Sequence, residues 1–167
     1  MQTSISEGLT DKQITQLIEF TNTDPLILAN TSDKERFKNR ASFEKWFEKK
    51  RKIYSLIDND KNLLGIIWFG IKQIPKELDL ENFNASSYSI TFSIRLYSTA
   101  RGKRLSHQFM EKALNLYKQT NEYLKNPEKG MWLVTNSDNK AAIKTYEKIG
   151  FKFVCNLEDK RIFMTLS

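Results

Sequence analysis

Residues 136–151 read Asn136-Ser-Asp-Asn-Lys-Ala-Ala-Ile-Lys-Thr-Tyr-Glu-Lys-Ile-Gly-Phe151. Residues 136–139 are turn and cap formers, residues 140–149 carry a helical pattern, and Gly150 stands where a helix ends on a left-handed residue. The apolar run Met131-Trp-Leu-Val-Thr135 in front reads as a short strand, and residues 151–156 behind read as another. The stretch therefore predicts strand, capped helix and strand. Downstream, Arg161-Ile-Phe-Met-Thr-Leu166 supplies the last strand.

Upstream, Leu105, Phe109, Ala113 and Leu116 recur at helical spacing, joined by Met110, Leu114 and Tyr117, which predicts a helix over residues 103–123. Before it, Tyr88, Ile90, Phe92, Ile94 and Leu96 alternate with polar residues and predict a strand over 88–96. Residues 71–87 contain Pro75 and several acids and read as a long loop. Ile53-Tyr-Ser-Leu-Ile57 and Leu63-Leu-Gly-Ile-Ile-Trp-Phe69, parted by Asp58-Asn-Asp-Lys-Asn62, read as a hairpin. Nearer the start, Thr10 and Gln13 suit a capping box on a first helix ending near Phe20, with Leu9, Ile14, Leu17 and Ile18 at helical spacing. The stretch Thr21-Asn-Thr-Asp-Pro25 breaks it, and residues 26–29 are a brief apolar run. Ser32 or Asp33 can cap a second, largely exposed helix through Phe37, Phe43, Trp46 and Phe47. The order of elements implies a mixed α/β sheet with helices packed against it. No repeat or composition break divides the chain, so residues 1–167 are read as one domain.

Composition narrows the function classes. Hydrophobic residues make up 40% and aromatics 12%, enough to build a core. Lys and Arg outnumber Asp and Glu by 27 to 20, so the mean field attracts anions without choosing among them. One Cys and one His leave a zinc site poorly supplied, and no metal is expected. The start lacks a secretory pattern and no run reaches bilayer length, which reads as a cytoplasmic protein with no membrane partner. The basic strand pattern of an RNA-recognition sheet is missing, so no nucleic-acid partner is expected. The run Lys49-Lys-Arg-Lys52 suits a solvated helix end.

The segment Arg101-Gly-Lys-Arg-Leu-Ser106 joins the strand 88–96 to the following helix. Free N–H groups and the positive dipole end at a helix start bind phosphates. Gly102 lets a ligand approach the backbone, and Arg101, Lys103 and Arg104 can neutralise a diphosphate.

The spacing Asn139-x-x-Ala142-x-x-x-Tyr146-x-x-x-Gly150-Phe151 resembles the second conserved motif of the GNAT superfamily of N-acetyltransferases, and residues 101–106 resemble its pyrophosphate motif, Arg/Gln-x-x-Gly-x-Gly/Ala. The motif's two glycine positions hold Arg104 and Ser106 here. The resemblance covers residues 53–153. It implies a central, mostly antiparallel sheet of six to seven strands, splayed between the strands 88–96 and 131–135 and flanked by about four helices.

It also implies acetyl-CoA as co-substrate and a small-molecule or protein amine as acceptor. The diphosphate would lie on Arg101, Gly102, Lys103, Arg104, Leu105 and Ser106, and the pantetheine arm on the backbone of Ile94, Arg95 and Leu96. Asn139 would contact the same arm or simply cap its helix. Tyr146 would protonate the leaving thiolate, although Ala142, Tyr146 and Ile149 share a helix face and Tyr146 also fits a core aromatic. The strand 88–96 offers only Ser89, Thr91 and Ser93 where many family members carry a Glu base, which points to a water chain; Glu77, Asp79 and Glu81 are loop alternatives. His107 reads as an exposed helix residue and Cys155 as a strand residue without catalytic role. A non-catalytic acyl-CoA-binding module is the competing reading, and whether two copies pair as a homodimer is left open.

Overall fold

Among the described residues seven strands and six α-helices follow one another as β1 (Thr3–Glu7), α1 (Asp11–Thr23), α2 (Pro25–Asn30), α3 (Arg40–Phe47), β2 (Lys52–Asp58), β3 (Leu63–Ile71), β4 (Tyr88–Leu96), α4 (Leu105–Lys118), α5 (Asn121–Leu124), β5 (Gly130–Asn136), α6 (Lys140–Lys148), β6 (Lys152–Leu157) and β7 (Arg161–Leu166). The computed structural model describes residues 2–31, 33, 35–75, 78, 83–126 and 129–167. Glu77, Asp79 and Glu81, and Ser32 as a helix cap, lie outside the described residues.

The sheet order is β1-β2-β3-β4-β5-β7-β6. β1 runs antiparallel to β2, and β7 runs antiparallel to both β5 and β6. β4 and β5 are parallel, paired as Tyr88↔Gly130, Ile90↔Met131 and Thr91↔Trp132. Their pairing ends there, while β5 keeps pairing with β7 from Met131 to Asn136. The mixed sheet of seven strands accords with the resemblance, with six helices among the described residues where about four are implied.

Several expected boundaries shift for local reasons. Strand β1 was not expected, although Ile5 between Ser4 and Ser6 carries a short alternation; it pairs with β2 from Thr3↔Asp58 to Glu7↔Tyr54. Helix α1 continues past Phe20 to Thr23, and Asp24 then caps α2 with Pro25 at its first position. The brief apolar run at 26–29 falls in α2, and the expected second helix appears as α3, capped by Asn39 through Ser42 N–H at 2.9 Å. Phe43 and Trp46 of α3 are buried rather than exposed. The expected helix over 103–123 starts at Leu105 and stops at Lys118, because the Thr120 hydroxyl bonds the Tyr117 carbonyl at 2.7 Å and starts α5.

The described chain divides into two compact units, residues 1–68 with 94–113 and residues 69–93 with 114–167. The first unit packs Ile14, Leu17, Phe37, Phe43, Trp46, Ile66, Trp68 and Tyr97 together. Phe37 sits edge-on to both Trp46 (4.8 Å) and Trp68 (5.8 Å), the arrangement that ring quadrupoles favour. The second unit packs Ile74, Trp132 and Phe163, with Tyr88, Val134, Val154 and Cys155 against them. The indole N–H of Trp132 donates to the Lys72 carbonyl at 2.8 Å, so its polar atom is satisfied. No helix among the described residues is long and apolar enough to cross a membrane.

Phe37 is fully buried among these rings. Its truncation to Ala should therefore cost about 3–5 kcal/mol, the usual range for a buried Phe. Urea unfolding measures this, and a loss below about 1 kcal/mol would remove Phe37 from the centre of that core.

Candidate functional site

In the first unit, the turn from β4 into α4 is anchored by Tyr97. Its ring is fully buried and its N–H donates to the Leu64 carbonyl at 3.0 Å. Burial also pushes its phenol well above the ordinary range, against the opposing pull of the Arg95 cation. After a 3-10 turn at residues 98–100, Gly102 takes φ +74° and Arg104 takes φ +58°, and Leu105 opens α4. A Cβ on Gly102 would meet nothing within 4 Å, so glycine is needed there for its backbone angle and its face is open to a ligand. Arg104, at the first glycine position of the motif, nevertheless holds the left-handed conformation that glycine adopts without strain.

The basic side chains of the segment divide into two groups. Gly102, Lys103 and Arg104 are exposed beside the helix start, whereas Leu105, Ser106 and Arg101 are half-buried. The Arg101 guanidinium is committed inside the protein. Its Nε donates to the Leu96 carbonyl at 2.9 Å and its second terminal nitrogen to Asp24 Oδ2 at 2.6 Å. The Asp24 side chain is only 5% exposed, and its other oxygen accepts from the N–H groups of Leu26 (3.0 Å) and Ile27 (3.3 Å). Burial alone would raise the Asp24 carboxyl, but the hydrogen bonds from Arg101, Ile27 and Leu26 hold it below the usual carboxylate value.

On the neighbouring part of β4, Ile94 and Leu96 are half-buried. The Arg95 side chain is buried, lying over the rings of Phe37 (4.9 Å) and Trp68 (5.7 Å) and donating to the hydroxyls of Thr21 and Thr31. At Arg95, therefore, any ligand contact falls to the backbone, and the neighbouring Leu96 carbonyl already accepts from Arg101. Gly65 makes room for that backbone, since a Cβ there would lie 2.8 Å from the Arg95 carbonyl oxygen. The same unit holds a cavity of about 180 Å³ lined by Thr21, Asn22, Ile27, Leu28, Thr31, Glu35 and Lys38.

In the second unit, Asn139 caps α6 by accepting from Ala142 N–H at 3.4 Å. Tyr146 is 7% exposed, its ring edge-on to Phe92 (6.1 Å) and near Phe151 (6.0 Å). Burial pushes its phenol up to about 12. On β4, Ser89 is buried, Thr91 donates to the Gly70 carbonyl at 3.0 Å, and Ser93 is half-buried. His107 is half-buried rather than exposed, and Cys155 sits on β6 against the core. Among the described residues no group of three or more His, Cys, Asp or Glu is placed to hold a metal ion.

Asp24 opens the stretch 24–36 that the sequence assigns to an acceptor pocket, but its tie to Arg101 has no signal in the sequence. Its capping role alone is legible, in the Asp24-Pro25 pair, an N-cap followed by the favoured first helical residue.

The model of the acetyltransferase (GNAT) family matches residues 14–151. No curated protein matches the sequence. Among solved structures, spermidine N-acetyltransferase from Vibrio cholerae, in complex with CoA and spermine, superposes with a TM-score of 0.68 at 17% identity, covering 99% of this chain and 95% of that one. A protein from Streptococcus mutans gives 0.69 at 18% identity, covering 98% of each chain. A domain from Methanocaldococcus jannaschii gives 0.65 at 15% identity, covering 99% of each. At such identities these likenesses speak for the fold, while the family model, spanning most of the sequence and both motifs, places the chain in the GNAT family of acetyltransferases.

Proposed function

We propose that residues 1–167 work as one cytoplasmic N-acetyltransferase domain in which residues 101–106 receive the diphosphate of acetyl-CoA and Tyr146 acts as general acid. The observation that carries the reading is the backbone of the turn. Gly102 and Arg104 both take left-handed angles immediately before α4, so exposed basic side chains and a helix start are presented together. The residues fit an anionic ligand: the face of Gly102 is open, and Lys103 and Arg104 are exposed beside it. The backbone of residues 94–96 is proposed to line the pantetheine arm, joined by Asn139 beyond its capping bond.

Acetyl-CoA supplies an activated thioester. The acceptor amine reaches it neutral only after losing a proton, because an amine of lysine type has an unperturbed pKa of about 10.4. Its nitrogen then forms the C–N bond and the C–S bond breaks. The amine's protons leave to solvent, with no carboxylate among the described residues of β4 to take them. The departing sulfur takes the phenolic proton of Tyr146, which solvent restores. A phenol raised to about 12 keeps that proton at neutral pH. The spermidine N-acetyltransferases among the structural relatives support an amine acceptor, and self-association is a further proposal, one of them being dodecameric.

Acetyl-CoA should raise the melting temperature, and an amine panel followed by free thiol should reveal turnover. No stabilisation by any acyl-CoA overturns the reading; binding with indifference to every amine favours a non-catalytic module. Tyr146→Phe should lower kcat by about 10²-fold with acetyl-CoA binding kept. Because protonated Tyr146 is the active form and its pKa is raised, kcat should show no alkaline fall from this group up to about pH 10. Arg104→Gly should stabilise the fold by about 0.5–1 kcal/mol, strain relief outweighing the entropy of glycine, while weakening acetyl-CoA several-fold through loss of a charge contact. Unfolding and titration calorimetry measure the two effects, and unchanged affinity removes Arg104 from the phosphate set.

A further inference from the structure

We propose that Arg101 and Asp24 are positioning residues, which tie the phosphate segment to the start of α2, and that the Arg101 guanidinium is not itself a phosphate ligand. The inference rests on the reading that residues 101–106 receive the diphosphate.

The geometry leaves Arg101 little freedom. One edge of its guanidinium closes back on the end of β4 through the Leu96 carbonyl, and the far nitrogen is held at 2.6 Å by a carboxylate that is 5% exposed. Turning toward a phosphate would strand the Asp24 charge in a buried place, which is strongly unfavourable. Asp24 is held just as firmly, since its second oxygen caps α2 through two backbone N–H groups. The pair therefore fixes residue 101, one step before the left-handed Gly102, against the first turn of α2. Lys103 and Arg104 are exposed beside that turn. Helix α2 also contributes Ile27 and Leu28 to the cavity of about 180 Å³, so the tie links the phosphate segment to one wall of that cavity.

The two roles predict opposite effects of removing the carboxylate. If Arg101 were a phosphate ligand restrained by Asp24, freeing it would leave acetyl-CoA binding unchanged or tighter. If the pair positions the loop, freeing it weakens binding. Asp24→Asn and Asp24→Ser both keep a helix-capping side chain while removing the charge, so either serves if the other folds poorly. Arg101→Met keeps the length of the side chain without its hydrogen bonds.

Titration calorimetry with acetyl-CoA on the full chain and on the Asp24→Asn, Arg101→Met and doubly substituted chains forms the cycle. Each single substitution should weaken acetyl-CoA about tenfold, the scale of one charge-assisted hydrogen bond, and the double should be no weaker than either single. In turnover, KM for acetyl-CoA should rise with kcat kept within about twofold, a split that general loss of structure would not give. Unchanged or tighter binding by Asp24→Asn, or losses that add in the double, overturns the proposal. A wild-type chain that binds no acyl-CoA overturns the reading beneath it instead.

Discussion

The constraint on which the site depends is the short path from the end of β4 to the start of α4. Within residues 97–104 the chain must leave an extended strand, reverse and present a helix start, which simple right-handed backbone does not do. Two left-handed residues solve it. Gly102 adopts its angle at little steric cost, whereas Arg104 pays on the order of 1 kcal/mol or more for an angle that its Cβ disfavours. The surrounding structure has to hold that strain, and it does so from buried points: Tyr97 bonded to Leu64, Ala100 buried, and Arg101 tied to Leu96 and Asp24.

This bears on how the missing motif glycines should be understood. A glycine at a phosphate-binding turn serves two ends, a permitted backbone angle and close approach. At residue 104 the angle survives and the side chain is added, so the turn keeps its course and gains a guanidinium. At residue 106 the Ser lies within the first turn of α4, where an ordinary helical residue is accommodated. The departure from the motif is thus a change in side-chain chemistry more than in backbone path.

What could be read in the sequence was whatever a local rule determines. The hairpin of β2 and β3, the alternation of β4, and the cap, helix and glycine stop around α6 all carry their own signals, and they appear within a residue or two. The N-terminal third was less legible because its elements are short and tertiary in origin. β1 has five residues and owes its existence to pairing with β2. α2 has six residues and is held by one carboxylate whose other partner lies 77 positions away. Arg101 shows the same limit: charge and motif place it near a phosphate, but only the fold reveals that its guanidinium is spoken for.

Tyr146 shows what burial does to a candidate acid. Helical spacing made it a core aromatic as readily as an acid, and the structure shows the packing, a ring near Phe92 and Phe151 and a phenol raised by the desolvation this causes. A raised phenol is a weaker acid, which would be a poor choice for releasing a proton to water. Transfer to a thiolate is uphill from it as well, since a thiol ordinarily titrates near about 8.5, so an acid role requires the sulfur within hydrogen-bond reach and a bound state that lowers the phenol again. The burial that packs Tyr146 therefore works against release of its proton, and an acid role depends on what the bound thioester does to that surrounding.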